Sequence, residues 1–186
     1  MDGQMNVGSY PGRKGGLSDG QPDLSLIRGI DEQIYRSIED YRGLNPGGLF
    51  ITSGPTDNIM SISIPITKNH SEVGRDLRRF LELNADMQLI HDDGYASSLR
   101  ELFDMLVRTD GAANFEKGHL TAVKRYIQGI IGTETIEGGA RHKAAAYVST
   151  RGLVSHVLSE ETGRITVFRE GRPIIINPKT HASPSE

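Results

Sequence analysis

From Asp23 onward apolar residues recur at regular steps. Ile27, Ile30, Ile34, Ile38 and Tyr41 follow one another at spacings of 3, 4, 4 and 3. That rhythm puts them on one face of a helix. Asp23 is placed to cap its start, and Asn45-Pro46-Gly47-Gly48 ends it. Leu49–Thr52 reads as a short apolar strand and Ser53 to Asn58 as a turn. Met60, Ile62 and Ile64 alternate with Ser61 and Ser63, which predicts a half-buried strand over Ile59–Ile64. Helical spacing returns in Ser71–Asn84, through Val73, Leu77, Phe80 and Leu81, and in Ser97–Val107, through Leu99, Leu102, Phe103 and Leu106. A small strand is expected between them at Met87–Ile90.

Past Asp110 the pattern turns β-rich. Strands are predicted at Ala113–Phe115 and Leu120–Tyr126 around a Glu116-Lys117-Gly118 turn, then at Leu153–Leu158, Arg164–Phe168 and Pro173–Ile176. The alanines 144–146 favour a helix over Gly138–Thr150. Helices interspersed with short strands predict an α/β (α+β) fold, a central mixed sheet flanked by helices, in one domain over 23–177. Residues 1–22 hold six Gly and two Pro with few apolar side chains, the pattern of a flexible tail. Residues 178–186 read as a second, polar tail.

Composition narrows the function. Of 186 residues, 21 are Lys or Arg and 24 are Asp or Glu, a net charge of −3 with no basic run, so nucleic acid is not an expected partner. No apolar run approaches the roughly 18–20 residues of a membrane span, and the start of the chain lacks a signal peptide's basic and apolar blocks. A cytoplasmic chain is the expectation. Zero Cys excludes a thiolate metal site or a thiol nucleophile, and six widely spaced His do not make a zinc motif. Gly8 to Gly15 falls short of a phosphate-binding P-loop, because three residues rather than four separate Gly8 from Gly12.

Three clusters carry candidate chemistry. Asp110-Gly111-Ala112 lies between a predicted helix and strand, where a carboxylate can reach a Mg²⁺ or Mn²⁺ ion, or simply stop the helix. Gly139-Ala140-Arg141-His142-Lys143 opens a helix with cationic and polar side chains, the reverse of what the helix dipole favours. Cations there make sense if an anion joins them: free N–H groups, Arg as a bidentate donor and Lys as a point charge suit phosphate. Ser159-Glu160-Glu161-Thr162-Gly163 is an acidic β-turn, ordinary surface unless the fold carries it to Asp110.

In order and spacing, the three clusters together resemble the diadenylate cyclase family, which carries a DGA motif, a GTRHRAA-like motif about 30 residues on, and SEETG before a final strand. The close resemblance spans about 108–172. It implies a mixed sheet flanked by helices and an enzyme that joins two ATP into cyclic di-AMP with release of two pyrophosphates. It further implies a homodimer or larger homo-oligomer in which two active sites face each other, each 3′-hydroxyl attacking the opposite α-phosphate. Carried over by position, Asp110, Arg141 and His142 are the catalytic residues. Gly111, Ala112, Gly139, Ala140, Arg141, His142, Lys143 and Ser159 bind the nucleotide. Asp110, with Glu160 or Glu161, holds Mg²⁺ or Mn²⁺. Ala140 stands where the family commonly has Thr and Lys143 where it often has Arg, so a catalytically impaired nucleotide-binding module on the same fold is the alternative.

Overall fold

A computed structural model describes residues 22–42, 44, 46–52, 56–66 and 96–177. The helix expected at Ser71–Asn84, the strand at Met87–Ile90 and all but one residue of the predicted tails lie outside them.

The first predicted helix divides in two. Asp23 caps only a 3-10 turn at Leu24–Leu26, its side chain accepting from Ser25 N at 3.0 Å. Gly29 then takes φ +59°, a conformation open to a residue without Cβ, and redirects the chain into helix α1, Ile30–Glu39. Asp31 and Glu32 in its first turn complement the helix dipole. Strand β1 (Gly48–Thr52) follows, buried throughout.

The strand expected over Ile59–Ile64 is a helix for most of its length. Helix α2 runs Thr56–Ile62 and only Ser63–Pro65 forms a strand, β2. Burial explains the difference. Ile59 and Ile62, three residues apart, face the core, whereas Met60 and Ile64 are exposed. Two buried isoleucines at helical spacing therefore outweigh an alternation that only Ile62 satisfies. Ser63 donates its hydroxyl to Ile59 O, four residues back, and so caps the turn.

The remaining elements follow the predicted pattern: α3 (Ala96–Val107), β3 (Ala112–Glu116), β4 (His119–Ile127), α4 (Ala140–Ser149), β5 (Val154–Leu158), β6 (Ile165–Arg169) and β7 (Arg172–Ile176). The seven strands form one sheet in the order β2-β4-β3-β1-β5-β6-β7. Among the described residues β1 and β3 pair parallel, with Leu49 opposite Ala112, and the other pairs are antiparallel. Both edge strands carry a proline, Pro65 and Pro173, where a missing N–H breaks no ladder.

Period-2 alternation sorts the strand residues between two cores. Phe50, Ala113, Val154, Leu158, Ile165 and Val167 meet α1 and α3 on one face. Phe103 packs there between Phe50 and Phe115, at centroid distances of 5.5 and 6.0 Å. Leu49, Ile51, Ala112, Val157 and Phe168 meet α2 and α4 on the other. The alanines of α4 let that helix lie close on the sheet, and its first turn is left at the end where β1 begins and β5 finishes.

Candidate functional site

That first turn borders a cleft of about 800 Å³. Its walls come from every cluster singled out in the sequence: Asp110, Gly111 and Ala112; Gly139 to His142; and Ser159, Glu160 and Glu161. The parallel pairing of β1 with β3 and the antiparallel pairing of β1 with β5 bring them together. The loop before β3 and the turn after β5 thereby flank the start of β1.

Arg141 sits at the centre. Its guanidinium donates to Glu160 Oε2 at 2.9 Å and stands 3.9 Å from Asp110 Oδ1. One side chain thus joins three segments far apart in sequence. Asp110 is held shallowly: its Oδ1 accepts from Gly111 N at 2.9 Å, and 83% of the side chain is exposed. Gly111 has φ +96°, and a Cβ there would lie 2.6 Å from Ile66 Cδ1 and 3.0 Å from the Arg125 backbone, so both conformation and space require glycine.

Helix α4 opens without a side-chain cap. Gly139 occupies the N-cap position and no acid lies in the first turn, so the leading N–H groups face the cleft without a carboxylate of their own. His142 lies behind Arg141, edge-on to Phe168 at 6.2 Å. Burial pushes its pKa below 6.5, against a smaller upward pull from Glu161, so the ring is neutral at pH 7. Lys143 departs from its expected place. It is exposed and does not line the cleft, because helical geometry turns it away from the face that holds Arg141 and Ala144. Of the three basic-cluster side chains, Arg141 alone brings a full charge to the wall.

Ser159 is buried and serves the turn: its Oγ accepts from Thr162 N at 3.3 Å, and its backbone closes on Arg164 O and Gly163 N. Glu160 shares Arg141 with Asp110, whereas Glu161 faces His142. Asp110 and Glu160, two carboxylates on one guanidinium, are the residues that could hold Mg²⁺ or Mn²⁺. No group of three or more His, Asp or Glu able to hold a metal exists among the described residues.

Several lining residues went unread in the sequence. Arg125 and Ile127 on β4, Thr166 and Phe168 on β6, and Ile130 and Ile136 in the loop before α4 all face the cleft. A bulge brings Arg125 there. Between Ala112–Arg125 and Asn114–Ala122 the pairing takes two residues of β3 against three of β4, and Lys124 sits at φ +52°. Arg125 Nε and Nη2 then donate to Ser63 Oγ and O at 3.0 and 2.6 Å. A bulge leaves no trace in hydrophobic periodicity.

Comparison with known proteins bears on the family and the fold. The family of the DisA bacterial checkpoint controller nucleotide-binding domain matches residues 39–173, well over half of the chain. A solved structure described as a hypothetical membrane spanning protein from Bacillus cereus shares the fold at 21% identity and TM-score 0.54, over 82% of this chain and 66% of that one. The chain therefore spans just under two thirds of the length of that protein. A double mutant of DacA from Staphylococcus aureus aligns at 18% identity and TM-score 0.46, over 77% of this chain and 83% of that one. No curated protein matches. Among the described residues, no helix is long and apolar enough to cross a membrane.

Proposed function

The chain belongs to the DisA bacterial checkpoint controller nucleotide-binding family, and from that premise we propose that it is a diadenylate cyclase, condensing two ATP into cyclic di-AMP and two pyrophosphates. One observation carries the reading: Asp110, Arg141 and Glu160, from three separate segments, meet at the mouth of one cleft. A volume near 800 Å³ is in the range of small-molecule sites.

In each half-reaction a ribose 3′-oxygen forms a bond to the α-phosphorus of the other ATP, and the bond to pyrophosphate breaks. The hydroxyl proton leaves to a base and negative charge moves onto the departing oxygens. Such transfer depends on positioning and charge stabilisation rather than a covalent nucleophile. The exposed Asp110 carboxylate takes the proton. Arg141 and the open N–H groups of α4 hold the phosphates, and the neutral His142 ring adds a hydrogen bond without changing the charge. Gly111 and Ala112 let the nucleotide approach the backbone. Asp110 and Glu160 would hold Mg²⁺ or Mn²⁺, which when bound offsets phosphate charge and acidifies a coordinated hydroxyl. Reaction between two bound ATP molecules calls for two copies of the chain with their clefts face to face.

The purified chain incubated with ATP and Mg²⁺ or Mn²⁺ should yield cyclic di-AMP by chromatography; absence of product beside a working family enzyme rejects the proposal. Lys143 off the wall and a neutral His142 favour a second reading, an ATP-binding module with little turnover. Calorimetric binding of ATP without product would select it.

A further inference from the structure

We propose that Gly47, outside all three motifs, is a positioning residue that seats the Arg141 guanidinium between Asp110 and Glu160. This rests on the nucleotide reading above for its consequence, though not for its geometry. A Cβ added at Gly47 would lie 2.2 Å from Arg141 Nη1, 2.8 Å from Cζ and 3.2 Å from Nη2. The guanidinium, with Nη1 foremost, therefore occupies the space that any side chain at residue 47 would fill. Gly47 is not among the residues with positive φ, so the glycine is required for space and not for conformation. That sets it apart from Gly111 and Gly138, where φ is +96° and +111°.

The seat closes a four-sided arrangement. Asp110 and Glu160 attract the guanidinium, helix α4 supplies its stem, and Gly47, buried at the entry to β1, is its floor. Arginine binds phosphate through a planar fork, so its use depends on where that plane is held. The two carboxylates are well exposed, and exposed ion pairs fix a long side chain only loosely. A rigid backbone surface does what they cannot. The Pro46-Gly47 step adds to this, since Pro46 restricts the approach of the chain.

The full chain carrying Gly47→Ala tests the inference. The added methyl meets the far end of a flexible side chain, so the thermal midpoint should stay close to that of the wild type while the guanidinium is displaced. The Arg141 Nε–H resonance, identified by its loss in Arg141→Lys, should shift in Gly47→Ala. ATP affinity should fall on the order of tenfold, and kcat/KM by up to about 10²-fold, as for a misplacement of about 1 Å. In the Arg141→Ala background the same Gly47→Ala change should cost nothing further. An unmoved resonance, or an equal loss in both backgrounds, overturns the proposal. If Gly47→Ala lowers the thermal midpoint, Arg141→Ala should restore it, and a midpoint that stays low also overturns it. A wild-type chain that ignores ATP while the resonance still moves sinks the nucleotide reading and keeps the seat.

Discussion

The two faces of the sheet are built from the same strands and put to opposite uses. On the α1/α3 face Phe50, Ala113, Phe115, Val154, Leu158, Ile165 and Val167 pack against the helices, and even polar groups are sealed in. Thr52 donates to Asp31, and His156 Nε2 lies 3.9 Å from that carboxylate, all three buried. Asn177 donates to the Tyr35 hydroxyl at 2.6 Å, and burial pushes that phenol up to about 12. On the other face α4 covers the sheet only from its second turn onward. Its first turn leaves Arg141 a third exposed, among carboxylates that solvent reaches. One face holds the strands in register, so that the other can leave charged groups unburied at fixed positions.

The sharpest way to break this division is to damage the sealed face. Phe103→Ala removes the ring that bridges Phe50 and Phe115 and leaves a cavity, at a cost of about 3–5 kcal/mol. Chemical denaturation should show that loss, with activity falling only as the folded fraction falls. The cleft face should respond the other way round. Asp110→Asn removes a carboxylate that is 83% exposed, so the denaturation midpoint should hold. Turnover should fall by about 10²–10⁴-fold, the range for loss of a general base, in steady-state cyclic di-AMP formation. An Asp110→Asn chain that stays fully active removes Asp110 from the mechanism and leaves the fold untouched.

The same division sets what the sequence could reveal. The sealed face was legible because burial imposes period: Ile34 and Ile38 on α1, Leu102 and Leu106 on α3, and Phe50 on β1 with Val154 and Leu158 on β5 all lie where spacing puts them. The three polar clusters were legible as motifs, and they do line one cleft. What spacing could not supply were contacts made through topology. Gly47 against Arg141 joins residues 94 positions apart, and Arg125 reaches the wall through a bulge at Lys124. Lys143 illustrates the converse, since a motif lists neighbours in sequence while a helix turns each by about 100° and leaves one outside. The α2 segment failed for a third reason: six residues are too few for period alone to separate the alternation of Met60, Ile62 and Ile64 from the helical pair Ile59 and Ile62.

The smallest expected effect compares the faces through their histidines. Burial holds both His156 and His142 below 6.5; a nearby carboxylate opposes it in each case, Asp31 for His156 and Glu161 for His142. For His156, Arg169 on the neighbouring strand adds to the depression. Well above pH 7 each ring is neutral both folded and unfolded, so neither affects stability. As pH falls through 6.5 the unfolded chain takes up protons first, and stability declines until the folded pKa is passed. Stability between pH 7 and 5 should therefore slope downward with acid, on top of the carboxylate contribution. His156 is buried and His142 only partly so, and His156→Gln should therefore flatten that slope more than His142→Gln in denaturation curves taken across the range. Equal flattening would mean that the cleft excludes water from His142 as fully as the core does from His156, and the contrast between an open and a sealed face would fail at that point.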